Sequence, residues 1–155
     1  IYVCNKPGVL VRIAQTFARR GYNVDSLVVS PAHNTNFSRI TVVVQGVPSS
    51  YDQILRQLNK LVDVVHAASH PSTDIVDREM ALFKVRAKPD QRAEIFQIVE
   101  VFRAKTVDIT DQSLVIETTG DSLKIDALEK LLEPMGLVEM VRSGKLIMKR
   151  GLEET

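Results

Sequence analysis

The sequence of 155 residues has a single cysteine, Cys4, and no long apolar run. One cysteine excludes an internal disulfide and any Cys-X-X-Cys metal or redox motif, which fits a reducing compartment. We interpret Cys4 as a small buried apolar residue in a strand, in preference to a reactive thiol. Because no stretch of about 18 consecutive apolar residues occurs, the sequence predicts no membrane-spanning helix. The chain begins at Ile1, without a methionine and in what looks like the middle of a strand, so we expect residues to precede it.

Neither positive nor negative charge is in large excess, since 20 basic residues balance 19 acidic ones and the net charge is +1. No overall field would therefore attract nucleic acid or an acidic membrane surface, and any partner has to be recognised locally. Arg12, Arg19 and Arg20 form a basic side of the first predicted helix. We interpret that side as a solvated exterior in preference to a partner contact.

The residue sets that catalysis requires are also missing. No nucleophile beside a base, no paired carboxylates and no metal cluster occur at diagnostic spacing. His66 and His70 lie in a predicted strand, where a separation of four residues amounts to about 13 Å, and His33 falls in a polar loop. The sequence therefore predicts no catalytic residue, no metal site and no cofactor, which argues against an enzyme.

What the sequence does contain is the same order of strands and helices twice. In the first half, strands are predicted at 1–4, 24–30, 37–45 and 64–68, with one helix between the turn at 5–8 and Gly21 and another after 46–50. In the second half, strands are predicted at 80–87, 106–110, 113–119 and 137–148, the last broken at 143–144, and helices at 91–103 and 122–133. The fold class is α+β, with two ferredoxin-like βαββαβ units. We place the domains at 1–70 and 77–155, joined by a linker at 71–76.

The helices of the first half are amphipathic. The residues expected to face the sheet are Leu10, Ile13, Ala14 and Phe17 in the first helix and Tyr51, Ile54, Leu55, Leu58, Leu61 and Val62 in the second. Gly21 is a suitable residue to end the first helix, and Ser49 or Ser50 is a candidate cap for the second.

Aromatic residues make up only 5% of the chain, which is too few for RNA recognition, a function that this strand order also supports. RNA-recognition domains stack bases on aromatic side chains of the two central strands. The segments IYVC and RITVVV offer only Tyr2, and stacking on β-branched side chains is poor. RNA binding is therefore disfavoured.

The stretch NKPGVL, residues 5–10, places a Pro-Gly turn at the start of the first helix. The N–H groups of Gly8, Val9 and Leu10 have no partner within the helix and lie at the positive end of its dipole, beside a glycine that adds no bulk. This arrangement suits an anion such as the carboxylate of an amino acid. The alternative interpretation is a plain strand-to-helix turn with Asn5 as a local cap.

Asn23, just after the first helix, favours the amino-acid interpretation. Its amide offers a donor and an acceptor together, so an asparagine side-chain oxygen can accept from the ligand's ammonium group. One ferredoxin-like unit has no deep cavity, because its helices cover one sheet face. We therefore expect the site where two copies meet edge to edge, with residues 5–10 of one copy and Asn23 and Val24 of the other, which predicts a homodimer.

Several segments together resemble a known family. They are NKPGVL, FARRGYNVDSLVVSP and SRITVVV, followed by QLNKLVDV, DREMALFKV, EVFRAKTVDIT and VRSG. The chain resembles the small regulatory subunit of acetolactate (acetohydroxyacid) synthase, an ACT-domain protein, nearly from end to end. The Pro-Gly turn marks ACT domains in general, whereas ARRGYNVDSL with DREMAL is specific to this subunit.

The resemblance implies a non-catalytic chain whose first unit is an ACT domain. Such a chain binds a thiamine-diphosphate-dependent catalytic subunit, raises its activity and makes it sensitive to valine or another branched-chain amino acid, in the cytoplasm or in a plastid. It also implies that the effector site comprises Asn5, Gly8, Val9, Leu10, Asn23 and Val24. Two other classes stay open: a free-standing ACT-type amino-acid-binding module that regulates another protein, and an enzyme.

Overall fold

A computed structural model of the chain describes residues 1–46 and 48–155, with only the backbone course at 48–50. The chain forms two compact units, one of Ile1–Val76 with Lys145–Thr155 and the other of Asp77–Gly144. The predicted caps Ser49 and Ser50 lie outside the side chains that are described.

The first unit has the predicted order of elements. They are β1 (Tyr2–Cys4), α1 (Val9–Ala18), β2 (Val24–Pro31), β3 (Phe37–Val44), α2 (Pro48–Leu58) and β4 (Val64–His66). The strands form an antiparallel sheet in the order β2-β3-β1-β4, which confirms the ferredoxin-like arrangement. β2 lies at one edge of this sheet, and β1 lies inside it.

Both helices of the first unit contribute to one core. Its buried apolar residues are Val3, Val9, Ile13, Phe17, Ile40, Ile54, Leu58, Val64 and Ala67. The face of α1 predicted to be buried is partly wrong: Val9 is buried, whereas Leu10 is 40% exposed and Ala14 is exposed. α1 is rotated so that positions spaced by four, 9, 13 and 17, contact the sheet.

The apolar stripe predicted for α2 is also too long. Val62 is 97% exposed, because α2 ends at Leu58 and Val62 lies in the turn that follows. Cys4, interpreted from the sequence as a buried apolar residue, is a free thiol of intermediate exposure.

The second unit repeats the first. It contains β5 (Ile75–Arg86), α3 (Arg92–Val101), β6 (Lys105–Ile109), β7 (Ser113–Gly120), α4 (Ser122–Leu132) and β8 (Leu137–Arg142), and β9 (Leu146–Lys149) follows. The antiparallel order is β6-β7-β5-β8, and β9 pairs with β5 off this path. β5 starts earlier than predicted and buries Ala81, Phe83 and Val85 in alternation.

The last residues of the chain pack in the first unit. Arg39 Nη1 donates to the carbonyl oxygen of Thr155 at 2.9 Å, and the Arg150 N–H donates to the Asp74 carbonyl at 2.8 Å. The domain boundaries given by the sequence, 1–70, 71–76 and 77–155, stay a prediction. The compact units differ from them in the placement of 145–155, a difference that depends on contacts between residues far apart in the sequence.

Two of the segments that carried the family resemblance meet in the second unit through a buried ion pair. Glu79 of β5 is only 7% exposed, and its Oε1 lies 3.8 Å from Arg142 Nη1 of β8. Arg142 Nη2 also contacts Asp126 Oδ1 and lies 3.7 Å from Glu129 Oε2, both on α4. Arg142 therefore links the sheet to the helix that covers it.

Candidate functional site

The turn before α1 leaves the start of this helix open. Gly8, the N-cap residue, has a φ of 83° and makes no side-chain capping bond. The first turn of α1 contains no acidic residue. The positive end of the helix dipole is therefore not neutralised locally, which suits a bound anion.

Asn5 does not cap α1, contrary to the alternative interpretation of the turn. Its Nδ2 donates to the Thr35 carbonyl at 3.0 Å, and its backbone N–H donates to the Asn36 carbonyl at 2.8 Å. These two bonds fix the turn to the loop between β2 and β3. Asn5 is exposed, and its side-chain oxygen makes no hydrogen bond within the part of the chain that the structure describes.

The N–H groups at the start of α1 are held in place by the core. The Val9 side chain is buried, and the Val9 N–H approaches the Lys6 carbonyl only at a long 3.4 Å. Within the described residues, the N–H groups of Gly8 and Leu10 make no hydrogen bond. The turn therefore presents donors toward solvent with the exposed Leu10 side chain beside them.

Asn23 and Val24 lie at the other end of the sheet. Val24 pairs with Val44 at the end of β3, whereas Asn5 bonds to Asn36, next to the start of β3. β3 spans Phe37–Val44, so the two groups are separated by about 23 Å at ~3.3 Å per residue. One copy of the chain brings Asn5, Gly8, Val9 and Leu10 together and does not bring Asn23 and Val24 to them.

The side chain of Asn23 is only weakly engaged. Its Nδ2 lies 3.3 Å from Asp25 Oδ1, and both residues are exposed. Val24 is 37% exposed at the beginning of the edge strand β2. An amide oxygen and an apolar wall are thus presented together at this end of the sheet.

Several apolar residues of α1 and β2 are exposed. They are Leu10 and Val11 on α1 and Val24, Leu27 and Val29 on β2. The sequence predicts Leu10 in the core, and this is wrong. It gives no sign that the Thr35 and Asn36 carbonyls accept hydrogen bonds from Asn5, because a polar loop carries no pattern that reveals its partners.

Among the described residues, no group of three or more His, Cys, Asp or Glu side chains is arranged to hold a metal ion. None of the helices in the described ranges is both long and apolar enough to cross a membrane. Tyr2, the aromatic residue of β1, stacks on Phe37 with ring centroids 5.1 Å apart, so one face of each ring is covered by the other ring.

Comparison with known proteins gives a consistent result over both units. A family described as "AHAS small subunit-like ACT domain" matches residues 1–66, and one described as "Small subunit of acetolactate synthase" matches residues 78–151. The acetolactate synthase small subunit of Mycolicibacterium smegmatis is 43% identical over 97% of this chain and 89% of that protein. A protein of Archaeoglobus fulgidus named as a probable acetolactate synthase small subunit is 41% identical over 97% of this chain and 94% of its own length.

A solved structure is similar throughout. The crystal structure of the acetolactate synthase small subunit from Thermotoga maritima superposes with a TM-score of 0.87 and 39% identity, and the match covers 98% of this chain and 95% of that one. The similarity therefore extends over both ferredoxin-like units.

Proposed function

The chain belongs to the family of acetolactate synthase small subunits, regulatory partners distinct from the catalytic subunit, and we propose that it activates a catalytic subunit and confers feedback inhibition on it. The proposed catalytic subunit is thiamine-diphosphate-dependent, and the proposed effector is valine or another branched-chain amino acid. The observation that carries the effector proposal is the open start of α1 at Gly8, which offers unpaired N–H donors. We place this activity in the cytoplasm or, in a eukaryote, in a plastid.

The chemistry of the candidate site matches each part of such an effector. The N–H groups of Gly8, Val9 and Leu10 suit the carboxylate, the side-chain oxygens of Asn5 and Asn23 suit the ammonium group, and Leu10 and Val24 suit the aliphatic side chain. Charge-assisted hydrogen bonds contribute about 1.5–3 kcal/mol each. Two or three of them with a few buried methyl groups give a Kd roughly between micromolar and millimolar, a range useful for regulation.

The two halves of this site meet only if two copies share it. Two copies related by a two-fold axis would pair their β2 strands antiparallel, so the Val24 end of one strand would lie beside the Pro31 end of the other. Pro31 pairs with Ser38, close to the Asn36 carbonyl that holds Asn5. Asn23 and Val24 of one copy would thus approach the turn of the other.

We expect the chain to be a homodimer at micromolar concentration. Its β2 edge offers unpaired backbone groups with Leu27 and Val29 exposed beside them, and both features favour pairing with a second copy. A Val29→Lys variant should sediment as a monomer, because a charge would be buried at the pairing edge. Val65→Lys, which alters another exposed valine, on β4 at the opposite edge, should remain a dimer. A dimer that survives Val29→Lys and dissociates with Val65→Lys would use the other edge.

Mixing the chain with the catalytic subunit from the same organism tests the proposed function. We expect acetolactate formation to rise when the chain is added and to fall again when valine is titrated into the mixture. Leucine and isoleucine, titrated in parallel, identify the preferred effector. Valine binding without any effect on the catalytic subunit would favour the alternative, a free-standing ACT-type module that regulates another protein.

A further inference from the structure

A polar cleft opens in the first unit at the C-terminal end of α1. Its lining includes Arg19 and Arg20 just after α1, Gln45 after β3 and Gln53 of α2. Gly21, Tyr22 and Gly46 complete the described lining, which contains no carboxylate. The cleft adjoins Asn23 and Val24 along the chain, but none of the described residues that line it is a candidate effector residue.

The two arginines of this cleft have no ion-pair partner in the described part of the chain. Arg12, on α1, contacts Asp63, and Arg142 contacts three carboxylates, whereas Arg19 and Arg20 are exposed and form no ion pair with a described residue. The guanidinium group presents up to five N–H donors in a planar fork that matches a carboxylate. The carboxamides of Gln45 and Gln53 add further donors to the same cleft.

Gly21, between the arginines and Tyr22, also lines the cleft. Gly21 has a φ of +70°, and a Cβ added there would meet nothing within 4 Å. The negative end of the α1 dipole favours positive charge at this place, so the arginines fit the fold without a partner. The helix dipole explains why cations are tolerated at this end of α1. It does not explain why two adjacent arginines and two carboxamides line one cleft whose described lining has no acidic residue.

We propose that this cleft is the docking site for a carboxylate-bearing segment of the catalytic subunit. The inference rests on the proposed function, which supplies the partner, and it names the surface that this partner contacts. Charge complementarity supports this docking, because an acidic segment would pair with the guanidinium groups of both arginines. A protein segment fits better than a small free anion, since the cleft is open and all four polar side chains are accessible or only partly covered. The turn at Gly8 stays available, because it lies beside the start of β3 whereas the cleft lies beyond its end.

The test compares a double variant, Arg19→Gln with Arg20→Gln, with the matched control Arg56→Gln, an exposed arginine of α2 outside the cleft. Activation of the catalytic subunit is titrated at low and at high salt. We expect the double variant to need about tenfold more protein for half-maximal activation at low salt, with a weaker dependence on salt, because rim charges act on association. Arg56→Gln should behave like the parent. Arg19→Lys with Arg20→Lys, which keeps the charges, should lose less.

Valine binding by calorimetry and dimerisation by sedimentation report on the fold of each variant and should match the parent. If the double variant activates at the same concentration as the parent, the cleft is not the docking site. The same conclusion follows if inorganic phosphate binds in the cleft of the parent while the double variant keeps full affinity for the catalytic subunit. If the parent itself neither binds nor activates that subunit, the proposed function fails, and this inference fails with it.

Discussion

Replacing Gly8 with aspartate is expected to abolish valine binding, and valine inhibition with it, while activation of the catalytic subunit persists. The new carboxylate would lie among the N–H groups proposed to receive the carboxylate of the effector. Two like charges about 4 Å apart repel by about 1 kcal/mol in water and about 4 kcal/mol near a protein surface. Because 1.4 kcal/mol corresponds to tenfold in affinity, a repulsion of about 4 kcal/mol weakens binding about a thousandfold and moves a micromolar Kd to about millimolar and a millimolar one out of the measurable range.

Gly8→Asn is the matched control for this substitution. Asparagine has nearly the size and shape of aspartate and the same strain at a φ of 83°, which costs about 1–2 kcal/mol, but it carries no charge. Calorimetric titration with valine should show weaker binding for Gly8→Asn and none for Gly8→Asp, with native circular dichroism for both. If Gly8→Asp binds valine as well as Gly8→Asn does, the turn is not the effector site.

Mixed dimers test whether two copies share each site. Asn23→His replaces a compact amide by a larger ring, so by itself it should also remove valine inhibition and leave activation nearly intact. A dimer of one Gly8→Asp copy and one Asn23→His copy would have both lesions in one shared site and none in the other. We therefore expect such mixtures to regain part of the valine response. Mixtures that stay insensitive would place each site within a single chain.

Replacing Arg142 with methionine is expected to lower the free energy of unfolding of the second unit by about 3–5 kcal/mol, because it leaves a buried carboxylate without its countercharge. Glu79 is buried, and Arg142 Nη1 is its charged partner at 3.8 Å. Urea denaturation of the variant and the parent measures the difference. The double variant Glu79→Met with Arg142→Met should recover most of the loss, since a buried ion pair can be replaced by apolar side chains of similar volume.

Lys84→Met is the control for loss of an ion pair as such. Lys84 Nζ and Glu139 Oε2 are 3.0 Å apart on the exposed face of the same sheet, and removal of an exposed pair costs at most about 1 kcal/mol. If Arg142→Met destabilises the unit no more than Lys84→Met does, Glu79 does not depend on Arg142 in the folded protein.

The sequence by itself determined the order of strands and helices in both units and the turn at Gly8. Each of these depends on residues that are close together in the chain: the alternation along 80–85, the helical period of apolar residues in α1, and the Pro-Gly pair that opens this helix. Local patterns of this kind set backbone preference and hydrophobic period before any tertiary contact forms. The residue types at 5–10 and 23–24 suggest the chemistry of the candidate site, which stays a prediction.

Only the tertiary structure decided the phase of α1 and the places of the two asparagines. Val9 is buried and Leu10 is exposed because the sheet selects one side of a helix whose apolar stripe is wider than the contact. Asn5 bonds to the loop at Thr35, and Asn23 lies at the far end of β3, because strand register joins residues that are distant in sequence. Register depends on the packing of the whole sheet, which is why one chain holds only half of the proposed site.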